Sequence, residues 1–292
     1  MFAVNFNKTA MPIFYGKAAL MTFIKSFKNI NSTIGFVPTM GALHQGHLSL
    51  MQQSLDENQK TVVSIFVNPT QFNNPEDLSK YPRTLEADVL KIETLNPEII
   101  IYAPSVEDIY EGNISSDHFN FDGLENQMEG KFRPGHFDGV GTIVKRLFEI
   151  VTPTNAYFGE KDFQQLQVVK KMTLKNNLPV NVIGCPIHRE ENGLAMSSRN
   201  ERLTAEQRKD ASIIYQTLKE AVLLFKKNSA QEVTQWVTKV FQNKPEFELE
   251  YFQIADEDHL LPCIEKSKDK KYRAFIAVFV NNIRLIDTIS LK

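Results

Sequence analysis

Residues Thr33 to Leu50 read TIGFVPTMGALHQGHLSL, and this stretch decides the fold. Thr33–Val37 is a short run rich in β-formers, and it ends at Pro38, a residue that a helix interior or a central strand resists. Gly41 and Gly46 flank a tight turn. Leu48, Leu50, Met51 and Leu55 then recur at helical spacing, which predicts a helix from about Gly46 to Asn58. Thr61–Val67 (TVVSIFV) is a nearly continuous apolar run, the pattern of a strand covered on both faces. Strand, turn, helix and strand make a βαβ unit whose two strands lie parallel in one sheet.

The same alternation continues outward. Leu85–Leu95 reads as a helix, Ile99–Tyr102 as a strand, Gly139–Val151 as a helix, Asn155–Phe158 as a strand, Asp162–Asn176 as a helix and Val180–Cys185 as a strand. Such repetition argues for a doubly wound α/β domain with ligands at the carboxyl ends of its strands. After Pro186 the pattern changes. Thr204 with Gln207, and Ser229 with Glu232, carry capping-box signals for two helices. Phe247–Ala255 is strand-like, and Ala274–Val280 and Ile283–Ile289 flank Asn281-Asn282, a two-residue hairpin turn. The expected division is residues 1–186 as the nucleotide- and substrate-binding domain and 187–292 as a smaller α+β domain closing over it.

Bulk properties narrow the function. The chain has 292 residues, 42% hydrophobic and 23% charged, which sets disordered and fibrous classes aside. Its net charge is −2, and no basic stripe of the kind that displaces counterions from nucleic acid is visible. An anionic ligand must therefore be met by a few positioned groups. Cys185 and Cys263 are far apart and outside any metal-ligand spacing, which fits a reducing compartment. The early apolar stretch Ala18–Ile24 is too short to span a bilayer, and no secretory pattern precedes it. The expected location is the cytoplasm, with no membrane partner.

Three segments carry chemistry. Pro38-Thr39-Met40-Gly41-Ala42-Leu43-His44-Gln45-Gly46-His47 joins the first strand to the first helix, where free backbone N–H groups and the helix dipole attract phosphate. His44 and His47, three residues apart, share one face of the opening turn and offer hydrogen bonds to a polyphosphate. Zinc is a weaker reading of the pair, because no carboxylate stands nearby in sequence. Gly159-Glu160-Lys161-Asp162 follows another strand; alone it reads as a solvated turn, but at a strand end Lys161 suits phosphate. Met196-Ser197-Ser198-Arg199 offers hydroxyls and a guanidinium to a departing phosphate. Asn68–Phe72 adds amides at the same edge, and Arg133–Gly139 precedes a helix as a lid or anion-binding element.

The segments Pro38–Leu50, Phe66–Phe72, Tyr81–Thr84, Arg133–Val140, Phe158–Gln165 and Gly193–Asn200 occur in one order along the chain. Together they resemble the pantoate–β-alanine ligase (pantothenate synthetase) family, within the nucleotidyl-transferase superfamily that includes class I aminoacyl-tRNA synthetases. The resemblance runs from about Ile13 to the C-terminus and leaves Met1–Ala10 ahead of it as an upstream extension. It implies a Rossmann-like sheet, a homodimer, and ATP, (R)-pantoate and β-alanine as ligands. It also implies two half-reactions: formation of pantoyl adenylate with release of pyrophosphate, then attack by the β-alanine amine with release of AMP. Met40–His47, Gly159–Asp162, His188 and Met196–Arg199 would bind ATP; Gln71 and Gln165 would hold pantoate, with Gln71 also near β-alanine. His188 departs from the family's pattern, since a small apolar residue is expected there beside the adenine. His47 is the family's assigned proton donor. On physical grounds His44, His47, Lys161 and Arg199 are expected to stabilise phosphate charge. Mg²⁺ is expected to arrive with ATP, there being no all-carboxylate cage for a resident metal.

Overall fold

The protein is described by a computed structural model over residues 11–29 and 32–291; the upstream extension proposed for Met1–Ala10 lies outside these residues. Six parallel strands form the larger sheet: β1 (Ile13–Phe14), β2 (Ile34–Thr39), β3 (Lys60–Ile65), β4 (Ile100–Tyr102), β5 (Asn155–Gly159) and β6 (Asn181–Cys185). Their spatial order is β1-β4-β3-β2-β5-β6. The chain thus winds outward from β2 through β3 to β4, then crosses back to β5 and β6 on the other side. The β2/β5 boundary is the topological switch point, where a doubly wound sheet opens a crevice at its carboxyl edge.

Side-chain alternation explains why helices cover both faces. Phe36, Val62, Ile100 and Ala156 face one core with Leu20 and Ile24 of α1 (Lys17–Phe27). Their neighbours Val37, Val63, Ile101 and Tyr157 face the other, with Leu50 and Met51 of α2 (Gln45–Glu57) and Ile92 of α3 (Leu85–Leu95). The first core also takes the apolar faces of α4 (His136–Val151) and α5 (Phe163–Lys175).

One expectation is corrected. The first strand does not end at Pro38; it runs on to Thr39 in the middle of the sheet, with Pro38 opposite Ser64. Thr33 and Thr39 carbonyls accept from the β3 side, whereas Ile34 accepts from Thr154, so the backbone groups of even-numbered residues point toward β5. Pairing with β5 ends at Phe36. The missing N–H of Pro38 therefore falls where no strand asks for it. Helix α4 also begins three residues before the predicted Gly139, and β1, only two residues long, has no periodic signal to read.

The C-terminal part is an antiparallel sheet, β7 (Phe247–Asp256), β8 (Tyr272–Val280) and β9 (Ile283–Ser290), with β8 central. Helices α6 (Ile213–Phe225) and α7 (Ala230–Gln242) share its core. Both predicted capping boxes are present, at Thr204/Gln207 and Ser229/Glu232. Val280 pairs with Ile283 across Asn281-Asn282, and Asn281 takes the left-handed φ of 52° that such a turn demands. Ala255, Leu260 and Phe275 belong to the core of the larger sheet, so the two sheets are joined by apolar contact.

Candidate active site

At the end of β2 the Thr39 hydroxyl donates to the Ser64 carbonyl at 2.7 Å, fixing the strand edge. The backbone then turns through left-handed Gly41 (φ 82°) and Ala42 (φ 50°). A Cβ on Gly41 would stand 3.1 Å from Asp88 and 3.2 Å from Ile65, so glycine relieves crowding as well as the strain of its φ. His44 is the last residue before α2. Its backbone N–H points to His47 Nδ1 at 3.3 Å, and the two imidazoles lie 4.0 Å apart, tilted by 32°. With Nδ1 accepting, the His47 proton sits on Nε2. Among the described residues none gives the buried Nδ1 of His44 a hydrogen bond.

Burial, and then the charge of Lys161, pushes the His44 pKa down to about 4. His47 is driven well below its ordinary value by burial first, then by His44 and Lys161. Both are neutral at pH 7. Neutral imidazoles donate hydrogen bonds there, but they are not reservoirs of acid.

The β5 end supplies the second wall. Lys161 stands beside Asp162 at 3.1 Å, whereas Glu160 turns away to Arg273 at 3.2 Å. A third wall comes from the loop after β6. Ser197 Oγ accepts from the Arg199 N–H at 3.2 Å, Ser198 lies 3.4 Å from the Tyr81 hydroxyl, and Arg199 reaches Asp77 at 3.4 Å. Burial raises the Tyr81 phenol, so it stays protonated as a donor.

One cleft is thereby lined by Met40, His44, Gly46, His47, Gly159, Lys161, Asp162, Gln165, His188 and Met196–Arg199. Gly41, Ala42 and Leu43 form the turn behind it, with Leu43 buried. Gln45 is exposed at the start of α2, and Glu160 serves the contact with β8. Gln71 lies behind Met40: its Nε2 is 2.7 Å from Met40 Sδ, and its Oε1 accepts from Asn68 at 3.3 Å. The Gln71 carbonyl accepts from His136 Nδ1 at 2.8 Å and Arg133 at 3.4 Å, which gives the Arg133–Gly139 segment a definite contact. Gln165 reaches both this cleft and a neighbouring cavity lined by Glu129, Arg133 and Arg284.

Sequence reasoning missed the apolar liners Leu50 and Ile187, and the carboxylates Asp77 and Asp88. An acidic residue in the first turn of a helix is routine, so neither announced a partner. Among the described residues no three His, Cys, Asp or Glu side chains come together as a metal cage, and no helix is long and apolar enough to cross a membrane. Both cysteines are free; burial lifts the Cys185 thiol to about 12 and leaves it unreactive.

Comparison with known proteins identifies the family. Residues 13–290 match the family model of pantoate–β-alanine ligase. The chain is 68% identical to the pantothenate synthetase of Flavobacterium psychrophilum, over 97% of this chain and 100% of that one. It is 52% identical to that of Christiangramia forsetii, over the same shares. The crystal structure of pantothenate synthetase from Thermus thermophilus superposes with a TM-score of 0.87 at 38% identity, covering 96% of this chain and 99% of that chain. A pantoate–β-alanine ligase from Francisella tularensis, solved with a β,γ-ATP compound and β-alanine, gives 0.77 at 34% identity, covering 97% and 98%.

Proposed function

The chain belongs to the pantoate–β-alanine ligase family, and from that premise we propose how its residues join pantoate to β-alanine at the expense of ATP. The observation that carries the reading is convergence. Met40, His44, Gly46 and His47, then Gly159, Lys161 and Asp162, then Met196–Arg199, far apart in sequence, line one cleft at the β2/β5 switch point.

In the first half-reaction a carboxylate oxygen of pantoate bonds to the α-phosphorus of ATP. The bond to the bridging oxygen breaks, and its electrons leave with pyrophosphate. Lys161, Arg199 and the Ser197 and Ser198 hydroxyls face that growing charge. His44 and His47 add hydrogen bonds from neutral rings at the start of α2, where the helix dipole acts in the same direction. Gln71 and Gln165 hold pantoate without titrating, and Gln71 serves β-alanine as well. In the second half-reaction the β-alanine amine nitrogen bonds to the acyl carbon, the acyl–phosphate oxygen bond breaks, and AMP departs as the amine loses its proton. No covalent enzyme nucleophile is needed, so catalysis rests on positioning and charge stabilisation.

The donor set suits a Mg²⁺ carried in on ATP. Asp162 offers one carboxylate at the cleft wall, and one or two carboxylates plus phosphate oxygens are what this ion ordinarily takes. Bound there, it would offset triphosphate charge. We also propose that residues 1–186 and 187–292 act as separate domains, and that the enzyme is a cytoplasmic homodimer. A sedimenting mass of one chain would overturn the last point.

The direct test is incubation with ATP, pantoate, β-alanine and Mg²⁺. AMP, pyrophosphate and pantothenate are expected in equal amounts; absence of AMP would sink the reaction. Lys161→Ala is expected to slow pyrophosphate release by about 10²–10³, the scale of one lost donor to developing charge. An unchanged rate would remove Lys161 from that role.

A further inference from the structure

Helix α3 lies outside the segments that line the cleft, yet it grips the most important of them. Asp88, in its first turn, is fully buried. Its Oδ2 accepts from the Ala42 N–H at 2.9 Å and its Oδ1 from the Leu43 N–H at 2.7 Å. The Thr84 hydroxyl donates to Oδ2 at 3.1 Å. One helical turn later, Lys91 Nζ donates to the Leu43 carbonyl at 2.6 Å. Both faces of the peptide units just ahead of His44 are therefore tied to one helix.

Two energetic facts make this more than incidental packing. A buried carboxylate is tolerated only when its lone pairs are filled, and here two of its three donors come from the same dipeptide. That dipeptide includes Ala42 in the left-handed region (φ 50°), a strained conformation for a residue with a side chain that persists only where its surroundings over-determine it. Without Asp88, Ala42 and Leu43 would lose their partners and the turn would lose its reason to stay left-handed. His44 and His47 follow directly and would swing with it.

We propose that Asp88, assisted by Lys91, is a positioning residue for adenylation: it fixes the Gly41–Ala42 turn so that His44 and His47 face the triphosphate. The proposal rests on the adenylate-forming reading above. With three donors already on its oxygens, Asp88 acts as scaffold and not as a ligand for the ATP-borne cation.

The test is Asp88→Asn, which keeps the size but sets an amide N–H₂ against a backbone N–H. Pyrophosphate release at saturating ATP and pantoate is expected to fall by about 30–100-fold, the scale of an ångström-sized misplacement of catalytic groups. The KM for pantoate should stay within about twofold, because Gln71 is also anchored by Asn68 and Gln165 lies on α5. A fall of less than threefold, or a KM for pantoate rising in step with the loss of rate, would overturn the proposal. So would recovery at high Mg²⁺, which would make Asp88 a metal ligand. Should Asp88→Asn fail to fold, Lys91→Met removes the other half of the grip, and a five- to tenfold fall in the same rate is expected; an unchanged rate again overturns the idea. Parent enzyme that makes no AMP would instead mean that the functional reading had failed.

Discussion

The histidine turn at the end of β2 and the Glu129 clasp beside the C-terminal sheet both withdraw ionisable groups from water, and they arrive at opposite charge states. Around His44 the strongest neighbouring charge is Lys161, of the same sign as an imidazolium, so burial and charge push together toward the neutral ring. Glu129 is largely withdrawn from water too, and that alone would raise its pKa. Yet Arg284 meets it with two hydrogen bonds, at 2.8 and 2.7 Å, Tyr251 donates at 2.8 Å, and its pKa falls to about 2. Burial therefore does not fix the outcome. The sign and geometry of the partner do. The functional consequences differ accordingly. Neutral histidines present hydrogen-bond donors to a ligand, whereas the charged clasp ties β7 and β9 to the segment carrying Arg133 and His136, which hold the Gln71 carbonyl.

The hardest way to break this contrast is to remove the clasp. Glu129→Ala leaves Arg284 with Glu250 alone and is expected to cost about 3–5 kcal/mol in urea unfolding, the range for breaking a buried pair. A loss below about 1 kcal/mol would mean that Glu250 suffices. On the other side, His47→Ala removes a donor from the histidine turn. Pyrophosphate release should slow by about 10²–10³ with the KM for β-alanine little changed. An equal rise in that KM would point to a collapsed turn.

Acid sharpens the comparison. His44 and His136 have folded pKa values near 4, below the ordinary histidine value of 6.5, with burial the largest cause for each. Between those values the unfolded chain binds more protons, so stability declines as pH falls from about 6.5 toward 4. Glu129 works in a lower window: its stabilisation is present above about 4.5 and is lost as pH falls toward 2. Unfolding measured against pH should show both declines, with Glu129→Gln removing the lower one. Pyrophosphate release should be level between about pH 5.5 and 8; a step near 6.5 would mean that the imidazoles of the turn titrate at their ordinary value. The smallest effect is expected from Tyr81→Phe, which deletes one long hydrogen bond to Ser198 and should change stability by about 0.5–1 kcal/mol.

What the sequence determined by itself is the local and the periodic. Alternating strands and helices, two capping boxes, the Asn281-Asn282 turn and the three cleft-lining segments all rest on residues a few positions apart, where propensity and hydrophobic period act directly. Tertiary structure decided the rest. Pro38 is tolerated inside a central strand because β5 has already stopped pairing. Asp88 grips a turn 46 residues away, and Glu129 meets an arginine 155 residues away. Helix spacing cannot announce either contact, since a carboxylate in a first helical turn looks the same whether it faces water or a backbone. Charge state followed from those contacts: a pKa reports the whole surroundings of a group, and for His44 and Glu129 those surroundings exist only once distant segments have packed together.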